Sequence, residues 1–241
     1  MMQMEQRIDD LAKPARSINS ILLTAATRWE ARPLAHALAL SPSGPERWHG
    51  TVAGKSITLA QTGIGAIASA RVLERDYAVD KFDLAISAGL CGALQEGLRT
   101  GDIIADPNES EIEVVVLLRE TALRLSLPFH FGRLLQTDVV LRPAVKRKLG
   151  TEHRAVACDM ETAAVRRWGK ARIPVLGIRA VLDEIDEEIP ASAPSGDDAA
   201  SLVRFALAHA CELPLLVRTG WRTARAMRTL SQFVKSYLEA L

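Results

Sequence analysis

A chain of 241 residues with 48% apolar composition is long enough to bury one large core and sits near the upper end of a single domain. Its formal net charge of +1 gives no electrostatic bias toward nucleic acid, which excludes that class of partner. Its three cysteines, Cys91, Cys158 and Cys211, show neither CxxC nor Cys/His metal spacing, so reduced thiols and no bound metal are expected.

In chain order, MMQMEQRIDDLAKPARS lacks the apolar core of a signal peptide, and no later run reaches about 18 apolar residues, so a soluble, cytoplasmic protein is expected. Short apolar runs then recur. They are SINSILLTAAT (17–27), KSITLAQTG (55–63), FDLAISAG (82–89), DIIAD (102–106), RLLQTDVV (133–140), RAVAC (154–158) and IPVLGIRAVLD (173–183). Between them lie helix-like stretches, WEARPLAHALAL, AIASARVLERDYAV, ETALRLSL and ETAAVRRWGKA. Near-continuous apolar strands alternating with helices predict an α/β fold: a central, mostly parallel mixed sheet flanked by helices. DEIDEEIPASAPSGDDA (183–199) reads as an acidic loop. Two helices are predicted beyond it, 200–213 and about 218–239, separated at Pro214 and Gly220. The expected organisation is one α/β domain over 1–199 with a helical extension over 200–241 packed on it.

Ligands of such sheets bind beyond the carboxyl ends of the strands. The first run delivers Glu30 with Arg28 and Arg32 close by. TGIG carries Gly63 and Gly65, and SAGLCGAL carries Gly89 and Leu90; both read as glycine turns that bring backbone N–H groups toward a ligand. ACDMETAAV places Asp159 and Glu161 two apart, on one side of an extended chain, and the last run ends in Asp183. Each has a plain structural explanation: Glu30 a first-turn acid, the glycines ordinary turns, Asp159 a helix cap and Asp183 the start of the acidic loop. Their coincidence at strand ends is what points to a site. TGIGAIASA also mimics a dinucleotide fingerprint, but the acid belongs at the end of the next strand, where SAGL stands instead, which argues against that cofactor.

With these residues assembled, the chain resembles the nucleoside phosphorylase and nucleosidase superfamily, near the branch that cleaves methylthioadenosine and adenosylhomocysteine. The pieces fall in family order from about residue 20 to 190: Glu30, TGIGAIASA, ISAGLCGALQEGLRTGDIIAD, RLLQTD, ACDMETAAV and GIRAVLDEID. The resemblance implies that Glu161 accepts hydrogen bonds from the ribose hydroxyls, with Met160 against the sugar. It implies that Asp183 protonates the purine at N7 and that Glu30 holds the attacking water. Val140 and Leu141 fall in the base pocket; Arg28, Gly63, Gly65, Gly89 and Leu90 fall in the nucleophile or phosphate region; Asp159 supports Glu161. An electron-poor ribose and an electron-rich leaving base call for this division between a sugar carboxylate and a leaving-group acid.

Three departures stand out. Leu90 replaces the usual serine of the glycine turn, Val140 stands where that branch stacks a phenylalanine on the base, and the segment between DIIAD and RLLQTD is short. The carboxyl-terminal LPLLVRTGWRTARAMRTLSQFVKSYLEAL places Leu216, Trp221, Met227, Leu230, Phe233 and Tyr237 among Arg218, Arg222, Arg225 and Arg228. That pattern fits either a helix packed on the sheet or peripheral contact with an anionic membrane. Basic tail and DME motif together look like the hopanoid-associated phosphorylases, which implies removal of adenine from adenosylhopane, a lipid-linked nucleoside. The alternatives are a methylthioadenosine/adenosylhomocysteine-type nucleosidase and a nucleoside-binding protein without turnover at the membrane surface. No cofactor is implied, inorganic phosphate is a candidate co-substrate, and a homodimer is expected from the family habit.

Overall fold

Residues 17–108, 112–170, 172–187 and 213–241 are described by a computed structural model. The first apolar run forms β1 (Ser20–Ala25), and its neighbours in the sheet are β4 (Lys55–Gln61) and β5 (Leu84–Ala93), both parallel to it. β10 (Val175–Asp183) lies parallel to β5 on the other side. These strands are apolar along nearly their whole length because helices cover both faces of the sheet, which leaves no solvent side to require alternation.

The sheet has ten strands among the described residues and is mixed. DIIAD forms β6 (Ile103–Asp106), which pairs with β10 in antiparallel fashion. β7 (Phe129–Phe131) extends it in parallel. At the opposite edge, β2 (Ser41–Gly44) and β3 (Arg47–Val52) form an antiparallel hairpin against β4. β2 is an exposed edge strand, where the N–H that Pro42 lacks breaks no ladder. RLLQTDVV contributes only β8 (Leu134–Gln136), and β9 (Ala157–Asp159) lies between β8 and the end of β5.

Helices α1 (Arg28–Ala37), α3 (Ile112–Leu125) and α6 (Leu213–Ala240) cover one face; α2 (Ala66–Asp76) and α5 (Thr162–Gly169) cover the other. A further helix, α4 (Pro143–His153), was not legible as one in the sequence and stands over the carboxyl end of the sheet. No break occurs at Gly220, which lies within α6, whereas the chain before Leu213, where the break at Pro214 would show, lies outside the described residues. Gly220 faces open space, so nothing crowds the helix there. The apolar side of α6 is spent on the core: Leu230, Phe233, Val234, Tyr237 and Leu238 are fully buried. Trp221, Arg218, Arg225 and Arg228 remain outward. Packing on the sheet is therefore the role of this stretch, and Leu230, Phe233 and Tyr237 are not presented to a membrane. Among the described residues no helix is long and apolar enough to cross a membrane. Residue 188 onward in the acidic loop, the helix expected at 200–213, the 199/200 domain boundary, Cys211 and the first sixteen residues lie outside the described residues.

Candidate active site

A cleft of about 260 Å³ opens at the carboxyl ends of β1, β5, β9 and β10, lined among others by Glu30, Leu90, Met160, Glu161, Asp183 and Lys146. Four of these were expected from sequence to carry chemistry or hold the sugar. Val140 and Leu141 also line it, Val140 exposed and Leu141 buried.

Glu30 reaches the cleft from the first turn of α1. Its Oε2 accepts from Ala26 N (3.1 Å), Thr27 N (2.9 Å) and Thr27 Oγ1 (3.1 Å), so it caps the helix as its position predicts. Its Oε1 accepts from Leu90 N across the sheet at 2.9 Å. One carboxylate oxygen thus serves the helix, and the other, with a lone-pair site to spare, faces the ligand side. Capping and site roles coexist in one residue.

Asp159 and Glu161 converge on a third residue, Arg179, which sits in the middle of β10 and is buried with them. Arg179 Nη2 pairs with Asp159 Oδ2, lies 3.6 Å from Glu161 Oε2, and donates to Ser87 Oγ (2.8 Å) and Thr162 Oγ1 (3.0 Å). Asp159 also accepts from Thr162 N at 3.0 Å, the first residue of α5. Its place is structural: it anchors the strand-to-helix turn and balances Arg179. Glu161 accepts instead from Gly65 N at 2.8 Å. Burial disfavours the Glu161 charge more than Arg179 and the Gly65 N–H restore it, so its pKa is pushed up to about 7. Burial also works against the Arg179 cation, but Asp159, Glu161 and Glu30 outweigh it and raise its pKa.

The glycines do something other than expected. SAGL does not turn; β5 continues to Ala93. Gly89 stands opposite Arg179 in the sheet register, and Gly92 opposite Asp183. A Cβ on Gly89 would lie 2.2 Å from Arg179 Nη1 and 2.6 Å from Glu30 Oε1. One on Gly92 would lie 3.1 Å from Asp183 Oδ2. The two glycines make room for side chains of β10, and Gly92 also lines the cleft. In TGIG, Gly63 N donates to Ala26 O and Gly65 N to Glu161, so both N–H groups are engaged within the protein. Gly63 and Gly65 adopt φ of 82° and 87°, which suits glycine, and Gly65 lies against Met160. Arg28 is half-buried at the start of α1, outside the residues that line the cleft.

Asp183 ends β10, buried, and its Oδ2 pairs with Lys146 Nζ from α4. Burial raises its pKa, with Lys146 opposing and Glu187 adding to the rise. Cys158 and Cys91 lie close to it. Burial, the largest cause, pushes the Cys158 thiol up to about 12 and raises that of Cys91 too, so both stay protonated.

Two site residues escaped the sequence reading. Arg179 had a signal: a lone cation within VLGIRAVL has to find buried acids if the strand is buried. Lys146 had none, since PAVKRKLG is a run in which any basic residue could be solvated.

Three findings from known proteins bear on this geometry. Residues 20–105 match the family model described as Phosphorylase superfamily. No curated protein matches the chain. Among solved structures, futalosine hydrolase of Helicobacter pylori superposes with a TM-score of 0.71 at 18% identity, over 94% of this chain and 100% of that one. The 5′-methylthioadenosine/S-adenosyl homocysteine nucleosidase of Campylobacter jejuni gives 0.69 at 18%, over 93% and 100%. The corresponding nucleosidase of S. pneumoniae gives 0.67 at 19%, over 92% and 99%. The chain therefore matches the phosphorylase superfamily model across β1 to β6 and has, over nearly its whole length, the fold of these nucleosidases.

Proposed function

We propose that the chain cleaves the N-glycosidic bond of a 5′-substituted adenine nucleoside and releases adenine. The observation that carries this reading is the meeting in one strand-end cleft of Glu30, the Met160–Glu161 pair and Asp183, from three separate parts of the chain. Glu161 accepts hydrogen bonds from the ribose hydroxyls, Met160 packs on the sugar, and Val140 and Leu141 border the base. As the C1′–N9 bond breaks, its electron pair goes to the base, and Asp183 gives its proton to N7. The raised pKa of Asp183 supports that protonated state. Asp159 and Arg179 hold Glu161.

Water is the better nucleophile than phosphate here. Glu30 and Glu161 line the cleft, whereas its lysine is already paired, and such a lining repels a phosphate dianion. Water adds its oxygen to C1′ and gives its proton to Glu30. Neither a cofactor nor a metal takes part in this scheme.

Exposed Ile64 and Val139 at the cleft suit an apolar 5′ substituent. In its narrowest form, which rests on the resemblance in sequence, the substrate is adenosylhopane and the enzyme works in hopanoid biosynthesis as a homodimer. Methylthioadenosine/adenosylhomocysteine-type substrates are the second reading, favoured by the shared fold. The test is adenine release from adenosylhopane and from methylthioadenosine, each with and without phosphate. Wild type should turn over repeatedly without phosphate, and Asp183→Asn should lose about 10²- to 10⁴-fold in kcat. Equal release by Asp183→Asn would remove the acid assignment. Tight nucleoside binding with no product over hours would make the chain a binding protein.

A further inference from the structure

Lys146 lies on α4, which the sequence did not reveal, and is 1% exposed although it ends in an ammonium group. All three of its N–H donors have acceptors: Asp183 Oδ2, Glu184 O (2.8 Å) and Glu187 O (2.7 Å). A buried lysine is costly unless paired, so this arrangement is specific. It also ties Asp183 to the turn that follows β10. Glu187 in that turn is in turn gripped by Arg218 (3.0 Å) and Arg222 of α6.

We propose that Lys146 is a positioning residue for the leaving-group acid: its ammonium group holds Asp183 Oδ2, leaves Oδ1 for the base, and sets the alkaline limit of turnover. The inference rests on the reading of Asp183 as that acid. The groups facing Asp183 are few. Lys146 comes from α4, Cys158 from β9, Cys91 from β5, and Glu187 from the following turn. Glu184 is paired with Arg99, Asp186 with Arg147, and Glu187 with the two arginines of α6, so their charges are largely answered. Both cysteines are neutral. Lys146 is therefore the dominant charge acting on Asp183. Burial raises the carboxyl pKa and Lys146 counters it. Removing the cation lets Asp183 keep its proton to higher pH.

The experiment is the pH profile of kcat for adenine release in wild type, Lys146→Gln, Lys146→Met and Lys146→Arg. In both neutral variants the alkaline limb should move up by about one to three pH units, the range an adjacent opposite charge exerts on a carboxyl group. Arginine should leave the limb in place. Glutamine keeps hydrogen-bonding capacity at the site and is the variant to use where methionine fails to fold. A lower kcat or melting temperature with an unmoved limb in Lys146→Gln would reduce Lys146 to a structural residue and overturn the proposal. Asp183→Asn in the same assay separates the two layers. If it matches wild type, the acid assignment itself fails; if it is inactive while the limb of Lys146→Gln stays put, only the role of Lys146 does.

Discussion

At the residue scale, the site turns on how buried carboxylates are held. Glu161 is the sharpest case, because its ligand role needs the ionised form while burial opposes it. With its pKa near 7 in the free protein, kcat/KM should fall about tenfold per pH unit below that value and level off above it. The sign follows from the chemistry: protonation removes the acceptor the ribose diol needs. Binding of a nucleoside favours the carboxylate, so complex formation near pH 7 should release a proton. Calorimetry in two buffers of different ionisation enthalpy would read that release. A binding heat that does not depend on the buffer, or an acid limb that survives in Glu161→Gln, would show that the titrating group is another one. Glu161 was legible from sequence because DME is a motif. Its raised pKa was not, since the burial that causes it, and the Arg179 and Gly65 N–H groups that oppose it, come from parts of the chain distant from ACDMETAAV.

At the element scale, the pairing of β5 with β10 organises the cleft. The register sets glycines at 89 and 92 of one strand against Arg179 and Asp183 of the other. Gly89→Ala should therefore be damaging. Its methyl would stand 2.2 Å from Arg179 Nη1 and 2.6 Å from Glu30 Oε1, so both side chains would have to shift, and Arg179 is fully buried. Overpacking of this kind costs about 1–3 kcal/mol, and displacing Glu30 should lower kcat/KM by about 10²-fold. Thermal melting with adenine-release kinetics checks both, and near-wild-type values would show that the two side chains can move aside. This pairing also explains what the sequence could and could not tell. The apolar runs showed that β1, β4, β5 and β10 exist, because fully buried strands need such runs. Nothing local in SAGLCGAL distinguishes a glycine in a turn from one yielding space to a neighbouring strand. The direction of β6 and the presence of the β2–β3 hairpin were hidden for a similar reason: edge and antiparallel strands owe their place to partners, not to their own pattern.

At the scale of the whole molecule, α6 decides whether there is a sheet for the site to stand on. Read alone, its arginines and aromatics suit a membrane surface as well as a protein one. Its position assigns its apolar side to the core, since Leu230, Phe233, Val234, Tyr237 and Leu238 are fully buried against the face shared with α1 and α3. Each such side chain contributes about 1.5–3 kcal/mol, so the five together approach or exceed the roughly 5–15 kcal/mol by which a domain is stable. The same helix holds Glu187 through Arg218 and Arg222, and hence the turn that carries Lys146's acceptors next to Asp183. Deleting residues 213–241 should thus abolish cooperative folding, with loss of the near-UV circular dichroism signal and of the thermal transition. Truncation would then say nothing about membrane affinity. Arg218→Ala/Arg222→Ala, by contrast, leaves the apolar side of α6 in place and should keep a cooperative transition while loosening the turn beside the acid. A truncated chain that melts like the full one would mean that the sheet face closes without α6, and that the burial seen there is incidental to stability.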